Sequence, residues 1–266
     1  MSNAKQNRYA LIIEKIFFNH YEPGLKTFEF LRSELSEVAE ELGIKLPSNL
    51  GDVIYSIRYR TTLPESILAL QYDDLEWIIE GAGRGKYTFS LVKVNRIIPN
   101  ENLVTIKIPD ATPEIVNEYS LSDEQALLAK VRYNRLIDVF LGLTTYSLQN
   151  HLRTTVKGVG QIEIDEIYVG LNTNGCHYVI PVQAKGGNDQ LSVVQTKQDI
   201  LCCKEKYQNL ITRAISAQFI TDDKIAMFEL TVEDDQIKLV KEHHYQLVSS
   251  NDISGDDLLF YRQTSN

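Results

Sequence analysis

QIEIDEIYV (residues 161–169) and HYVIPVQAK (residues 177–185), joined by a short turn rich in Asn and Gly, decide how this chain is read. Side chains along a strand alternate between its two faces. In the first segment Ile162 and Ile164 share one face, leaving Glu163 and Asp165 on the other. In the second, Tyr178, Ile180, Val182 and Ala184 share a face, and Gln183 and Lys185 project from the opposite one. Between them Asn172, Asn174 and Gly175 tolerate positive φ and close a hairpin at little cost. Pairing the strands brings a carboxylate, an amide oxygen and an ammonium to one edge. Such oxygen donors suit a hard cation such as Mg²⁺, which keeps several waters and meets a substrate phosphate. A neighbouring lysine can orient one of those waters and offset charge on a pentavalent phosphorus.

These residues resemble the PD-(D/E)XK phosphodiesterase superfamily of restriction and repair nucleases, in particular its Mrr-like branch, in which Gln stands for the motif's Glu. The flanking order is similar to that family's core. A helix over residues 123–141 precedes a strand at about 146–156, then the two motif strands, a helix over 193–207 and a strand over 214–220. The resemblance implies an α/β domain with a restriction-endonuclease-like mixed sheet flanked by helices, and hydrolysis of duplex DNA with Mg²⁺ or Mn²⁺. It makes Asp165 the metal-binding Asp, Gln183 the second ligand, Lys185 the catalytic Lys, and the Ala184 carbonyl a third metal contact. It also places Glu124 as an extra acidic residue at the start of the first core helix, with Gln195 and Gln198 as polar residues following the motif. Ile164 stands where many members carry Pro. Because Gln183 is neutral, the cation needs further negative charge from Glu163, Glu166 or the DNA itself. Spacing puts Glu163 on the face of Asp165 and Glu166 opposite, so Glu163 is the expected additional ligand.

Upstream, residues 27–42 carry Phe30, Leu31, Leu35, Val38, Ala39 and Leu42 at helical spacing and stop at Gly43. A turn at 44–47 leads to Ser48 as the cap of a second helix with Leu50, Val53, Ile54 and Ile57 on its apolar side. Two strands, at 77–79 and 87–94, flank the tip Gly81-Ala82-Gly83-Arg84-Gly85-Lys86. The pattern is similar to a helix-turn-helix with a wing, in which the second helix enters the major groove and the wing tip meets phosphates. Asn49, Arg58, Arg60, Arg84 and Lys86 are its expected DNA contacts. The tip is not a nucleotide-binding loop, since Glu80 and Tyr87 occupy positions where that motif needs Gly and Ser or Thr. Residues 1–115 are thus read as a smaller winged-helix-like α+β domain and 116–266 as the nuclease-like domain. Pro109-Asp110 spells the motif's first two letters but lies ahead of a helix start, with Thr112 as its expected cap.

Composition bounds the alternatives. The 43% hydrophobic content is ample for a core, and the formal net charge of −9 argues against a generic DNA-coating protein. Residues 221–266 hold ten acidic and four basic side chains, so most of that charge is concentrated at the C-terminal end. The three cysteines form no CxxC pair, consistent with a cytoplasmic setting, and the scattered histidines show no zinc-ligand spacing. Arg132, Arg135, His151, Arg153 and Lys157 are candidates for a basic rim around Asp165. One site per chain and two strands per duplex make a homodimer the expected assembly. Three readings compete with a restriction endonuclease: a DNA-binding regulator with a catalytically dead nuclease fold, a structure-specific repair or junction nuclease, and an interaction protein with no nucleic-acid role.

Overall fold

Ile12, Ile13, Ile16 and Phe17 fall three and four residues apart and form the buried stripe of helix α1 (Arg8–His20), an element the sequence reading did not foresee. The computed structural model describes residues 8–59, 62–73, 75–93, 97–120, 124–157, 159–185, 193–221, 223–233 and 236–263. The chain divides into two compact units, Met1–Val94 with Thr155–Ile162, and Asn95–Thr154 with Glu163–Asn266.

In the first unit the expected helix from residue 27 is instead a strand, β1 (Thr27–Leu31), followed by α2 (Arg32–Glu41). Phe28 and Phe30 find cross-strand partners in Phe89 and Tyr87, which outweighs their helical spacing with Leu35. Leu31 accordingly faces solvent, and its N–H is accepted by the Glu34 carboxylate at 2.6 Å as α2 begins. Helix α2 ends where expected, with Gly43 at φ 64°. After it come α3 (Gly51–Tyr59), α4 (Glu65–Leu68), β2 (Leu75–Gly81) and β3 (Lys86–Lys93). The strands form an antiparallel sheet in the order β1-β3-β2. Phe17 is the hub of its core, with ring centroids 5.1–5.2 Å from Tyr21, Phe28, Trp77 and Phe89.

The second unit is a mixed α/β layer structure. Its elements are β4 (Thr105–Pro109), α5 (Glu114–Tyr119), α6 (Glu124–Tyr133), α7 (Leu136–Leu141), β5 (Thr144–Val156) and β6 (Gly160–Leu171) apart from the stretch Thr155–Ile162, β7 (His177–Lys185), α8 (Val193–Lys206), β8 (Ile211–Thr212), β9 (Ala214–Phe219), β10 (Lys224–Glu233), β11 (Gln236–Val248) and α9 (Gly255–Gln263). The sheet runs β4-β11-β10-β9-β7-β6-β5, with β8 beside β7. Strands β6 and β7 are antiparallel, β7 and β9 parallel, and β4 pairs in parallel with β11. That last pairing puts β4 in the second unit, and the division falls at Val94/Asn95, whereas the helix start after Pro109-Asp110 suggested 115/116. Leu127, Leu128, Val131 and Phe140 pack with Ile180, Val182 and Ala184 in one core, while Ile200 of α8 joins Ala214 and Phe228 in another. Both faces of β7 are therefore covered, which is why Val179 to Ala184 reads as a continuous apolar run apart from Gln183.

Three local expectations change. The helix foreseen over 123–141 is broken at Arg135, which sits at φ 49°, while the Asn134 side chain donates to the Lys130 carbonyl at 2.9 Å. The break resets the buried stripe to Leu136, Ile137, Phe140 and Leu141, leaving Val139 half exposed. Thr112 does not cap α5: Pro113 holds that position, and the Thr112 hydroxyl accepts from Asn134 at 2.9 Å. Asp110 accepts the Thr112 N–H at 2.8 Å, a turn contact that accounts for it without chemistry. Among the described residues no helix is long and apolar enough to cross a membrane.

Replacing Phe17 with Ala is expected to destabilise the first unit by about 3–5 kcal/mol, the range for emptying a buried aromatic site. Trp77 is the chain's single tryptophan and lies in that core, so urea unfolding followed by its fluorescence reads the loss directly.

Candidate active site

The hairpin between β6 and β7 closes on Asn172, whose side-chain oxygen accepts the N–H groups of Asn174 and Cys176 at 2.9 and 3.0 Å. From there the ladder runs to Glu166 opposite Val182 and ends. One step beyond, Asp165 Oδ2 accepts the Ala184 N–H at 3.0 Å, so a carboxylate completes the hydrogen bonding that a backbone carbonyl performs elsewhere in the ladder. Lys185, only 8% exposed, donates from Nζ to Glu124 Oε1 at 2.9 Å from the first turn of α6. Burial raises the Asp165 carboxyl above the ordinary carboxylate range, the Ala184 N–H and Lys185 pull it down, and Glu124 pushes it up again. Asp165, Ala184, Lys185 and Glu124 are thus brought together, the first three from neighbouring strands and Glu124 from a helix.

Gln183 is buried and fully engaged. Its Nε2 donates to Gln195 Oε1 at 2.8 Å, and its Oε1 accepts from the Thr196 hydroxyl at 2.9 Å and the Ser216 hydroxyl at 3.5 Å. Ser216 is its register partner on the parallel strand β9, and Gln195 and Thr196 lie on the first turn of α8. The amide therefore ties β7 to both neighbours. Gln198 is buried on the same helix.

The structure does not bring Glu163 to the cation side as an available donor. Its two carboxylate oxygens take His151 Nδ1 at 3.2 Å and Arg153 Nε at 3.1 Å, so a ladder of local ion pairs on β5 and β6 claims it. Glu166 lies on the opposite face, as its position in the strand requires, wholly buried with Arg132 at 2.9 Å and the Ser147 hydroxyl at 2.6 Å. The basic rim dissolves in the same way: Arg132 serves Glu166, Arg135 holds Asp138 at 2.7 Å, and His151 and Arg153 serve Glu163. Lys157 belongs to the first unit.

Asp199 is the residue that sequence reasoning missed. It is 2% exposed, and its Oδ1 has no hydrogen-bond partner among the described residues. Burial drives its carboxyl well above the usual carboxylate range, Asp165 drives it further, and Lys185 opposes both. The signal was its spacing, three and four residues after Thr196 and Gln195, which puts all three on one helical face.

A hard cation fits this donor set. The Asp165 carboxylate and the Ala184 carbonyl offer oxygen, and Asp165 carries a charge that burial penalises, whereas the oxygen of Gln183, the expected second ligand, is taken by Thr196 and Ser216, and Glu124 Oε1 accepts from Lys185. Among the described residues no three His, Cys, Asp or Glu side chains are gathered to hold a metal by themselves. An ion bound here would depend on few carboxylates and on water, the habit of Mg²⁺.

In the first unit Asn49 acts on its own helix, accepting the Gly51 N–H at 3.1 Å and donating to Asp52 at 2.8 Å, in the role expected of Ser48. Arg84 and Lys86 are exposed at the β2–β3 tip, with Lys86 Nζ 3.6 Å from Glu29. Arg58 lies within α3, and Arg60 falls outside the described residues.

Asp199→Asn is expected to be more stable than the parent chain at pH 8 in metal-free buffer. Because the folded carboxyl has a raised pKa, the parent binds its proton more tightly when folded and loses stability as pH climbs above the ordinary 3.8. Below that value both chains carry a neutral group and the difference disappears. Thermal unfolding from pH 4 to 8 checks this, and parallel curves would count against it. Compared with known protein families, curated proteins and solved structures, the chain matches none of them.

Proposed function

We propose that this chain is a DNA endonuclease, most simply a restriction enzyme, in which a restriction-endonuclease-like domain hydrolyses duplex phosphodiesters and a winged-helix-like module binds DNA. The observation that carries the reading is the Asp165 carboxylate on the Ala184 N–H, where the β6–β7 ladder ends, in the electrostatic reach of a nearly buried Lys185. The element order α6-α7-β5-β6-β7-α8-β8-β9, with β9 parallel to β7, supports the fold assignment. The order α1-β1-α2-α3-α4-β2-β3, with β1 beside β3, supports the winged-helix assignment. Cutting both strands makes a homodimer the simplest working form.

In this reading Asp165 and the Ala184 carbonyl would hold Mg²⁺ or Mn²⁺, which when bound would supply an activated water and neutralise phosphate charge. Lys185 places a fixed positive charge beside the reacting phosphate while water's oxygen bonds to phosphorus and the bridging P–O bond breaks. Glu124 keeps that ammonium aimed through their 2.9 Å contact. Gln183 acts by position, anchoring β7 to α8 so that Lys185 is presented at the strand end. In the first unit, α3 and the exposed tip with Arg84 and Lys86 meet the duplex.

The engaged amide of Gln183 favours a second reading, a DNA-binding regulator whose nuclease fold is inactive. Incubation with plasmid, phage and branched DNA in Mg²⁺ or Mn²⁺ separates the readings. Discrete fragments from linear duplex are expected, and Asp165→Ala and Lys185→Ala are each expected to lower the rate by about 10²–10³-fold or more. Cleavage at the parental rate by either variant would remove the assignment, cutting of branched DNA alone would shift it to a repair nuclease, and binding without cleavage to the regulator. Arg84→Ala with Lys86→Ala is expected to weaken binding to all sequences alike and to lower the salt slope of log K by about 2.

A further inference from the structure

Gln183 brings no charge to the site, and Glu163, the nearest carboxylate by strand spacing, is spent on His151 and Arg153. Glu124 stands in the electrostatic reach of both Asp165 and Lys185 but is paired with the lysine ammonium at 2.9 Å, and a further carboxylate in their reach comes from a different element: Asp199 on α8. It lies one helical turn beyond Gln195 and Thr196, the two side chains that hold the Gln183 amide, so the same face of α8 that anchors β7 carries it toward the motif. Its Oδ1 is buried without a partner among the described residues. A carboxyl oxygen in that state is costly, and a bound cation is one way to meet the cost.

We propose that Asp199 supplies the second carboxylate of the cation site, replacing the charge that the motif loses at Gln183 and taking the part that strand spacing assigns to Glu163. The site then draws on Asp165 from β6 and Asp199 from α8, with the Ala184 carbonyl between them in the chain. Two carboxylates, a carbonyl and water make an oxygen-only set suited to Mg²⁺ or Mn²⁺ and unsuited to zinc. This assignment rests on the nuclease reading for the presence of a divalent cation, while the choice of residue rests on the contacts of Asp199, Glu163 and Gln183.

Mn²⁺ binding to the full chain, measured by calorimetry and by the electron paramagnetic resonance of free Mn²⁺, tests it without reference to activity. Asp199→Asn keeps the shape of the side chain, and Asp199→Ser provides a second variant should the first fail to fold. Both are expected to weaken Mn²⁺ binding by at least about tenfold, the scale of losing a metal-supporting group, while Glu163→Gln changes it less than about twofold. Parental affinity in the folded Asp199 variants, or a loss confined to Glu163→Gln, would overturn the assignment while leaving Asp165 and the nuclease reading in place. A parent chain that neither binds Mn²⁺ nor cleaves DNA would overturn the nuclease reading and this assignment together.

Discussion

Strands β6 and β7 pair from Leu171 opposite His177 to Glu166 opposite Val182, and the next hydrogen bond is made by a side chain. Asp165 takes the Ala184 N–H at 3.0 Å, so the candidate site begins at the residue where the backbone ladder hands over to a carboxylate. Several features follow from that substitution. The carboxylate is held without using a side-chain cation, which leaves Lys185 able to pair with Glu124. The strand end is also pinned, so the residue after Ala184 emerges at a defined place. Because both faces of β7 are covered, Gln183 and Lys185 project into a protein environment instead of water, where electrostatic interactions are stronger.

That environment makes charge balance the governing constraint of the site. Asp165 and Asp199 each carry a carboxyl raised first of all by burial, and Lys185 is the cation that opposes both. On the other face the buried Glu166 meets the same problem with Arg132 and Ser147 on its Oε1, while its Oε2 has no partner among the described residues. Breaking such a buried pair by removing one partner leaves an uncompensated charge, which is why Arg132 is better understood as the partner of Glu166 than as a free phosphate contact. On the Asp165 side three acids, Asp165, Asp199 and Glu124, share Lys185, which marks it as a place where added positive charge is favourable.

The first unit illustrates how aromatic packing overrides helical spacing. Residues 27–31 match a helical pattern with Leu35 and Val38, yet Phe28 and Phe30 belong to a strand because Phe89 and Tyr87 stand across from them on β3. The aromatic residues gathered around Phe17 bury large apolar areas at low entropic cost, and a helix through residues 27–31 would forfeit those cross-strand contacts.

Much was legible in the sequence because it depended on local periodicity. The β6–β7 hairpin, the shared faces of Glu163 with Asp165 and of Gln183 with Lys185, the opposite placement of Glu166, and the stop at Gly43 all follow from alternation and turn chemistry within a few residues. What the tertiary structure alone decided was the partner of each polar group. Lys185 meets Glu124 from 61 residues away, Glu163 is diverted to His151 and Arg153 on the neighbouring strand, and Asp199 enters the site from a helix whose distance from Asp165 no spacing rule encodes. The reason is physical: a side chain's face is set by its own backbone, whereas its hydrogen bonds and its charge environment are set by whichever distant elements the core packs against it.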